Sequence, residues 1–433
     1  VVAESPTRYL LVPDVALPVG QTLEVRLSGT LQDTTRGTQT AGQTLPFTVR
    51  TSTVTTVNSA FVSTAPTGPR PGIAVVTPRP GGPLETTAVI AGWRDNQTML
   101  FQPVAPNAVG LTEVTTPSAS GLVGNNPSRR LVAAGTRVFA LVDTASGAAW
   151  TSPADGALLT LDTSSPSPTW SRATQPQSGG VVNWPTSAPG PLFTDGTSLF
   201  TTALTTNGLQ VARLLSQGQW PDFIVNSSLA ETVDSTPSMA PPGQTRATGS
   251  VLGTTRALAT LTGTTLVLRR SAAINAWTTI TPSPNLTYVG SAPKSLRMAM
   301  VNGIGAVVAA APNVASSDVL QLNSHVPGSP WSTNLPLPAA IVSPTPAFDL
   351  VATTTGTHLL LAAVTQGKLY VFRRSGGANS PWELLDGRNG DQSLHDLACT
   401  PDNPELALTP DGVFVTWAER CAGSWRVAMA RIE

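Results

Sequence analysis

What the chain has least of narrows it first. Only 12% of its 433 residues are charged, 25 basic side chains cancel 25 acidic ones, and Lys occurs just twice, at Lys294 and Lys368. A nucleic-acid binder carries a basic footprint, so that class of partner is excluded. Apolar runs are short; the longest candidate, Gly303 to Ala311, falls well below the roughly 20 residues of a membrane-spanning helix. A basic-then-apolar leader is missing as well, so the chain is expected to be a mature product or part of a longer, multi-domain precursor. Three histidines, no HExxH, no paired CxxC and no glycine-rich phosphate loop leave zinc and nucleotide chemistry without support, and no cofactor or metal is expected. Aromatics make up 5% of the chain and cysteines number two, which rules out a disulfide-stapled miniprotein at this length.

Punctuation is what the chain has in abundance. Its 37 Gly and 39 Pro total 76, about 18% of residues against about 12% in average usage. So many breakers leave little room for long helices. Their positions repeat. Five Trp recur in similar company, at Trp170, Trp220, Trp277, Trp331 and Trp382, spaced 50, 57, 54 and 51 residues apart. Turn glycines between short apolar runs, Gly135, Gly196, Gly253, Gly305, Gly356 and Gly412, keep spacings of 61, 57, 52, 51 and 56. From glycine to the next Trp the offsets are 35, 24, 24, 26 and 26, so the two ladders are in phase.

Each unit reads as four short strands. The clearest has Ala347 to Ala352, His358 to Val364, Lys368 to Arg373 and Trp382 to Leu385, β-branched or apolar and separated by Gly, Asn, Ser or Pro. Four antiparallel strands at this period are the signature of a β-propeller blade. Residues 52 to 433 accommodate seven units of about 55 residues. The expected fold is therefore all-β, a seven-bladed β-propeller of four-stranded antiparallel blades. The last unit, with Glu405 to Leu408, Val413 to Trp417 and Trp425 to Ile432, ends one strand short. The extended, β-branched Ser52 to Val62 is expected to supply that outer strand and close the ring, which removes an unpaired edge. The regular Trp are assigned to blade-to-blade packing.

Residues 1–51 do not fit the period. Through Val12, Pro13, Leu17, Gly20, the alternating Leu23, Val25 and Leu27, then Gly29, Leu31, Asp33, Gly37 and Phe47, they resemble the C-terminal half of a bacterial Ig-like domain of the S-layer type. That resemblance implies an Ig-like β segment ahead of the propeller; the alternative is a strand pair leaning on it. Pro404, Leu406, Ala407, Gly412, Val415, Trp417 and Glu419 in the last unit resemble the degenerate repeats of secreted bacterial propellers, a resemblance that implies fold only.

The only cysteines are Cys399 and Cys421. Blade order places Cys399 in the connection into the innermost strand of the last unit and Cys421 in the turn between its second and third strands, on one face. A disulfide is expected in preference to two free thiols, with an oxidising compartment: cell surface, medium or periplasm. Asn-x-Ser/Thr sequences at Asn96, Asn226 and Asn285 matter only if the source glycosylates them.

Catalytic constellations are thin. The nearest approach to the aspartate box of sialidase-like propellers, Ser152 to Gly156, lacks its Trp. Asp386 to Asp391 has a faint calcium-loop look, but Arg388 occupies a ligand position, and a type I turn is preferred. What remains is the face made by the connections into the innermost strands and by the turns between second and third strands. Blade order puts Trp93, Arg94 and Asp95 there in the first unit, Trp150 in an insertion of the second, and Trp184 in the connection to the third. His395, Asp396, Asp402, Glu419 and Arg420 fall there in the last, while His358 lies in a strand and His325 in a turn. Exposed aromatics stack on sugars or anchor peptides; alternatively Trp150 and Trp184 pack under their own loops. The expected function is a non-enzymatic extracellular or cell-surface binding or adhesion module contacting glycan or protein through this face. Alternatives are a glycan-active hydrolase or lyase using Asp95, Asp396 or Asp402, and a structural part of a surface assembly.

Overall fold

In a computed structural model of the chain, the structure describes the backbone of the strands named below and of their ordered turns. Side chains are described mainly over 71–76, 131–140, 160–163, 192–200, 248–280, 296–308, 320–327, 335–342 and 347–432, with gaps.

Short β-branched segments separated by tight turns can satisfy their backbone groups only by pairing side by side, and they do so as consecutive antiparallel sheets. Pro71–Val76, Thr87–Gly92, Gln97–Ala105 and Ala108–Val114 form the first. Leu131–Ala134, Arg137–Asp143, Gly156–Asp162 and Trp170–Arg172 form the second, and Phe193–Thr194, Ser198–Thr205, Gly208–Ser216 and Ala230–Asp234 the third. The fourth is Thr245–Leu252, Thr255–Thr262, Thr265–Ser271 and Trp277–Ile280; the fifth is Ser295–Val301, Gly305–Ala311 and Gln321–His325. The sixth is Ala347–Ala352, His358–Thr365, Lys368–Ser375 and Trp382–Leu384. Cys399–Thr409, Gly412–Cys421 and Ser424–Ile432 begin the seventh, whose outer strand is Thr53–Val57, registered Thr53 to Arg431 through Val57 to Val427. The first strands of successive sheets are neighbours, and that of the seventh lies against that of the first. The sheets thus stand around a common axis, the arrangement of a β-propeller.

Alternation along each strand splits its side chains between the two neighbouring sheets. In Ser295–Val301, Leu296, Met298 and Met300 pack against the fourth sheet, whereas Ala299 and Val301 face the sixth. Val415 and Trp417 face the sixth sheet from the seventh, and Phe414, Val427 and Met429 meet Ile73 of the first. The turn glycines Gly253, Gly305 and Gly356 adopt φ of 58°, 72° and 67°, the left-handed region in which Gly has no steric penalty. Two described Trp open outer strands, each beside an arginine: Arg256 lies 5.2 Å from the Trp277 ring, and Arg374 lies 6.0 Å from that of Trp382. The Trp382 indole donates to the Pro336 carbonyl at 2.7 Å, tying the sixth sheet to the segment that leaves the fifth.

Some elements differ from the sequence reading. Among the described residues the fifth sheet has three strands; Trp331 lies outside the described residues, and Leu335 donates to the Leu322 carbonyl at 3.0 Å. His325 ends a strand instead of sitting in a turn. The innermost strand of the seventh sheet starts at Cys399, six residues before Glu405. A bulge between Asp402 and Glu405, with Asn403 at φ 47°, carries pairing past Pro404. Residues 2–48 form three two-stranded pieces: Val2–Ser5 with Arg8–Leu10, Thr22–Arg26 with Thr44–Thr48, and Leu31–Asp33 with Gly37–Gln39.

Candidate functional site

The connections into the innermost strands and the turns between second and third strands share one end of the ring. Described side chains gather there at the junction of the sixth and seventh sheets. Two hairpins define the rim. Gln366 and Gly367 join Thr365 to Lys368, and Ala422 and Gly423 join Cys421 to Ser424; both residues of each pair have positive φ. These are the two-residue turns whose twist suits an antiparallel hairpin.

Cys399 and Cys421 are direct cross-strand partners with Cα atoms 4.5 Å apart, joined in a disulfide. Both sit at strand ends and not in connections: pairing resumes beyond the bulge as far as Cys399, and Cys421 pairs with Ser424 at the hairpin. Their pairing pins the end of the hairpin nearest the rim. Beside it, Glu419 is 1% exposed and its carboxylate is surrounded by donors. The Trp417 indole donates at 2.9 Å, Arg426 Nε at 2.7 Å and the Asp396 backbone N–H at 3.4 Å. Arg426 also donates to the Asp396 carboxylate at 3.0 Å and approaches Cys399 Sγ at 3.6 Å. Asp396 in turn accepts from the Ala398 N–H at 3.1 Å, setting the turn that enters the innermost strand. One guanidinium therefore bridges two carboxylates. Paired-carboxylate hydrolysis needs acids separated by room for substrate or water, and between Asp396 and Glu419 that room is occupied by Arg426. The atoms of Cys399, Cys421 and Glu419 lie within 4.8 Å of one another, but the sulfurs are bonded to each other and Glu419 is committed to its donors. This group is a clamp, not a metal centre.

His395 is 2% exposed. Its Nδ1 accepts from the Leu369 N–H at 3.4 Å, next to the backbone bond from Leu394 N–H to the Leu369 carbonyl. Burial holds its imidazole below the usual value, against the opposing pull of Glu419, Asp391 and Asp396. Asp391, at the end of the calcium-like run, lies 2.6 Å from the Lys368 ammonium and accepts from the Ser393 hydroxyl and N–H. The Lys368 ammonium and the Ser393 donors hold its carboxyl far below the ordinary range. That carboxylate caps a turn and pairs with the protein's own, exposed Lys368 ammonium; residues 386–390 lie outside the described residues.

Of the residues expected at the site, the structure brings His395 and Asp396 together with Glu419, and His395 faces inward. Asp402 lies on the opposite side of the same sheet, where its carboxylate accepts from the Asn403 N–H at 2.8 Å. Trp93, Arg94, Asp95, Trp150 and Trp184 lie outside the described residues. Arg426 was missed by the sequence reading; its signal was position, directly across the strand from Glu419. Leu397, 64% exposed, is the other residue that reading passed over, on the loop between Asp396 and the disulfide.

No family model matches the sequence, and no curated protein is significantly similar to it. Among solved structures the chain is similar to a polysaccharide lyase, Uly1, at 12% identity and TM-score 0.49, covering 86% of this chain and 90% of that one. It is similar to Trypanosoma rangeli sialidase at 9% identity and TM-score 0.42, covering 97% and 60%, and to a prolyl endopeptidase at 12% identity and TM-score 0.44, covering 81% and 45%. The chain thus spans less than two thirds of the sialidase and endopeptidase chains. At such identities a likeness speaks to fold alone, and the fold here rests on the sheet order itself: a β-propeller.

Proposed function

We propose that this protein is a non-enzymatic binding or adhesion module of the cell surface or extracellular space, which contacts glycan or protein through the loop end of its propeller. The observation that carries this reading is Leu397, 64% exposed, on a short loop held on one side by the Arg426 clamp and on the other by the Cys399–Cys421 disulfide. A contact residue on a rigid loop loses little conformational freedom on binding, which is the principle of preorganisation. The disulfide supports an oxidising location, and residues 1–51 would serve as an Ig-like spacer displaying the ring. Glycan-array binding together with titration of candidate surface proteins tests the reading. Leu397→Asp is expected to weaken binding at least tenfold, with Trp150→Ala and Trp184→Ala mapping the rest of the face. Retention of full binding by all three variants would overturn the choice of face.

A further inference from the structure

The side of the seventh sheet that faces the first sheet ends, at the loop end, in a row of three cross-strand neighbours. Thr400 is registered with Arg420, and Arg420 with Trp425, so the three side chains stand side by side on one face. One row below come Asp402, Ala418 and Val427, and beneath them the apolar packing of Val427, Phe414 and Met429 on Ile73. Trp425 is 7% exposed and its Nε1 is buried with no hydrogen-bond partner. An indole N–H is a donor only, and leaving one buried without an acceptor costs about 1–3 kcal/mol. Arg420 and Thr400 are exposed, and among the described residues neither has a hydrogen-bond or ion-pair partner. The Asp402 carboxylate below them is occupied by the Asn403 N–H at 2.8 Å and its side-chain amide at 3.3 Å. What the row offers is therefore unfilled donors: a guanidinium fork, a hydroxyl and a buried indole N–H.

We propose that Thr400, Arg420 and Trp425 form a binding site for a carboxylate, which enters at the exposed edge on Arg420 and accepts from Trp425 Nε1. A guanidinium matches a planar carboxylate with two parallel hydrogen bonds, and the carboxylate's further lone pairs take the indole and the hydroxyl. The negative Asp402 one row away disfavours a dianion such as phosphate, so a monoanion is selected. This assignment deepens the proposed binding role by naming a ligand chemistry for the same end of the ring.

The test follows the indole N–H resonance of Trp425 in nitrogen-15-labelled full chain, identified by its loss in Trp425→Phe. Glucuronate, acetate, N-acetylglutamate methylamide, galactose and chloride are titrated at constant ionic strength. The three carboxylates are expected to shift that resonance saturably, and galactose and chloride to leave it in place. The stronger of glucuronate and the acetylglutamate derivative tells a sugar-borne from a peptide-borne carboxylate. Arg420→Gln, an exposed substitution that spares the fold, is expected to weaken carboxylate binding about tenfold or more, and Thr400→Val less. If Trp425→Phe does not fold, the resonance is identified as the one that Arg420→Gln perturbs in the free protein. A Trp425 resonance that no carboxylate moves, that chloride moves equally, or whose carboxylate response survives Arg420→Gln overturns the site. Binding on the glycan array that persists while the carboxylates fail would remove this site and leave the broader binding role standing.

Discussion

Asp349 offers the sharpest test of how the ring is held. It is fully buried in the innermost strand of the sixth sheet and reaches both neighbouring sheets. Its Oδ1 accepts from Arg297 Nε of the fifth sheet at 3.0 Å, and its Oδ2 from the Leu406 N–H of the seventh at 2.9 Å. Asp349→Ala removes the carboxylate facing a nearly buried guanidinium and leaves a backbone N–H without that acceptor. Breaking a buried ion pair from one side costs about 3–5 kcal/mol, and an orphaned buried N–H about 1–3. The two overlap, so about 4–6 kcal/mol is expected. With about 2.1 cal/mol/K of unfolding entropy per residue and roughly 380 residues in the ring, each kcal/mol moves the midpoint by about 1.2 °C. Differential scanning calorimetry should therefore show a fall of about 5–8 °C. The double variant Arg297→Met, Asp349→Leu carries no buried charge and should recover most of the loss, since an apolar replacement of a buried pair is often near neutral. A single variant that melts within 1 °C of the parent, or a double variant no better than the single, would refute the reasoning.

Three further outcomes follow from other parts of the molecule. Burial depresses the imidazoles of His395 and His325, the latter helped by Arg270. The unfolded chain then binds protons near pH 6.5 that the folded chain refuses. Stability is full above that pH and falls as the pH drops through it toward the folded values; denaturation at pH 7.5, 6 and 5 should show the decline, and His395→Gln should flatten part of it. Gly253 and Gly305 share a left-handed conformation, but a Cβ on Gly253 meets open space, whereas one on Gly305 would land on the His325 carbonyl. Gly253→Ala should cost about 1–2 kcal/mol and Gly305→Ala at least about 3, measured by thermal melts; equal losses would mean the backbone yields at Gly305. Deleting residues 1–57 removes the partner of Ser424–Ile432 and should lower the melting temperature and promote aggregation through the bared edge, with light scattering as the readout. A peptide of residues 52–62 supplied in trans should reverse both.

Regular features were legible because local chemistry sets them. Positive φ favours glycine, so Gly253, Gly305 and Gly356 mark first hairpins in the sequence and in space. Two of the regular Trp can be followed: Trp277 and Trp382 head outer strands and pack on clusters shared with the preceding sheet, while Trp220 and Trp331 lie outside the described residues. The bulge was not legible: Asn403 occupies the left-handed region that Asn tolerates, with Asp402 accepting from its backbone and side chain, a local preference too weak to read without its strand partners. Cys399 was consequently placed outside the strand it begins.

The site followed the same division. Sequence order alone could bring Cys399 near Cys421 and set His395 and Asp396 at the loop end, since chain direction decides which end of a sheet each connection occupies. It could not say which way each side chain turns. His395 turns inward, Glu419 is surrounded by donors, and Arg426 spans two carboxylates. Those are facts of register across strands distant in sequence. The sequence by itself determined a repeating, turn-rich β architecture, because turn chemistry and strand alternation act over a few residues. Tertiary structure alone decided which polar groups are consumed by one another and which, like Arg420 and the Trp425 indole, are left facing outward or unfilled, because hydrogen bonding and burial depend on neighbours that only the folded ring supplies.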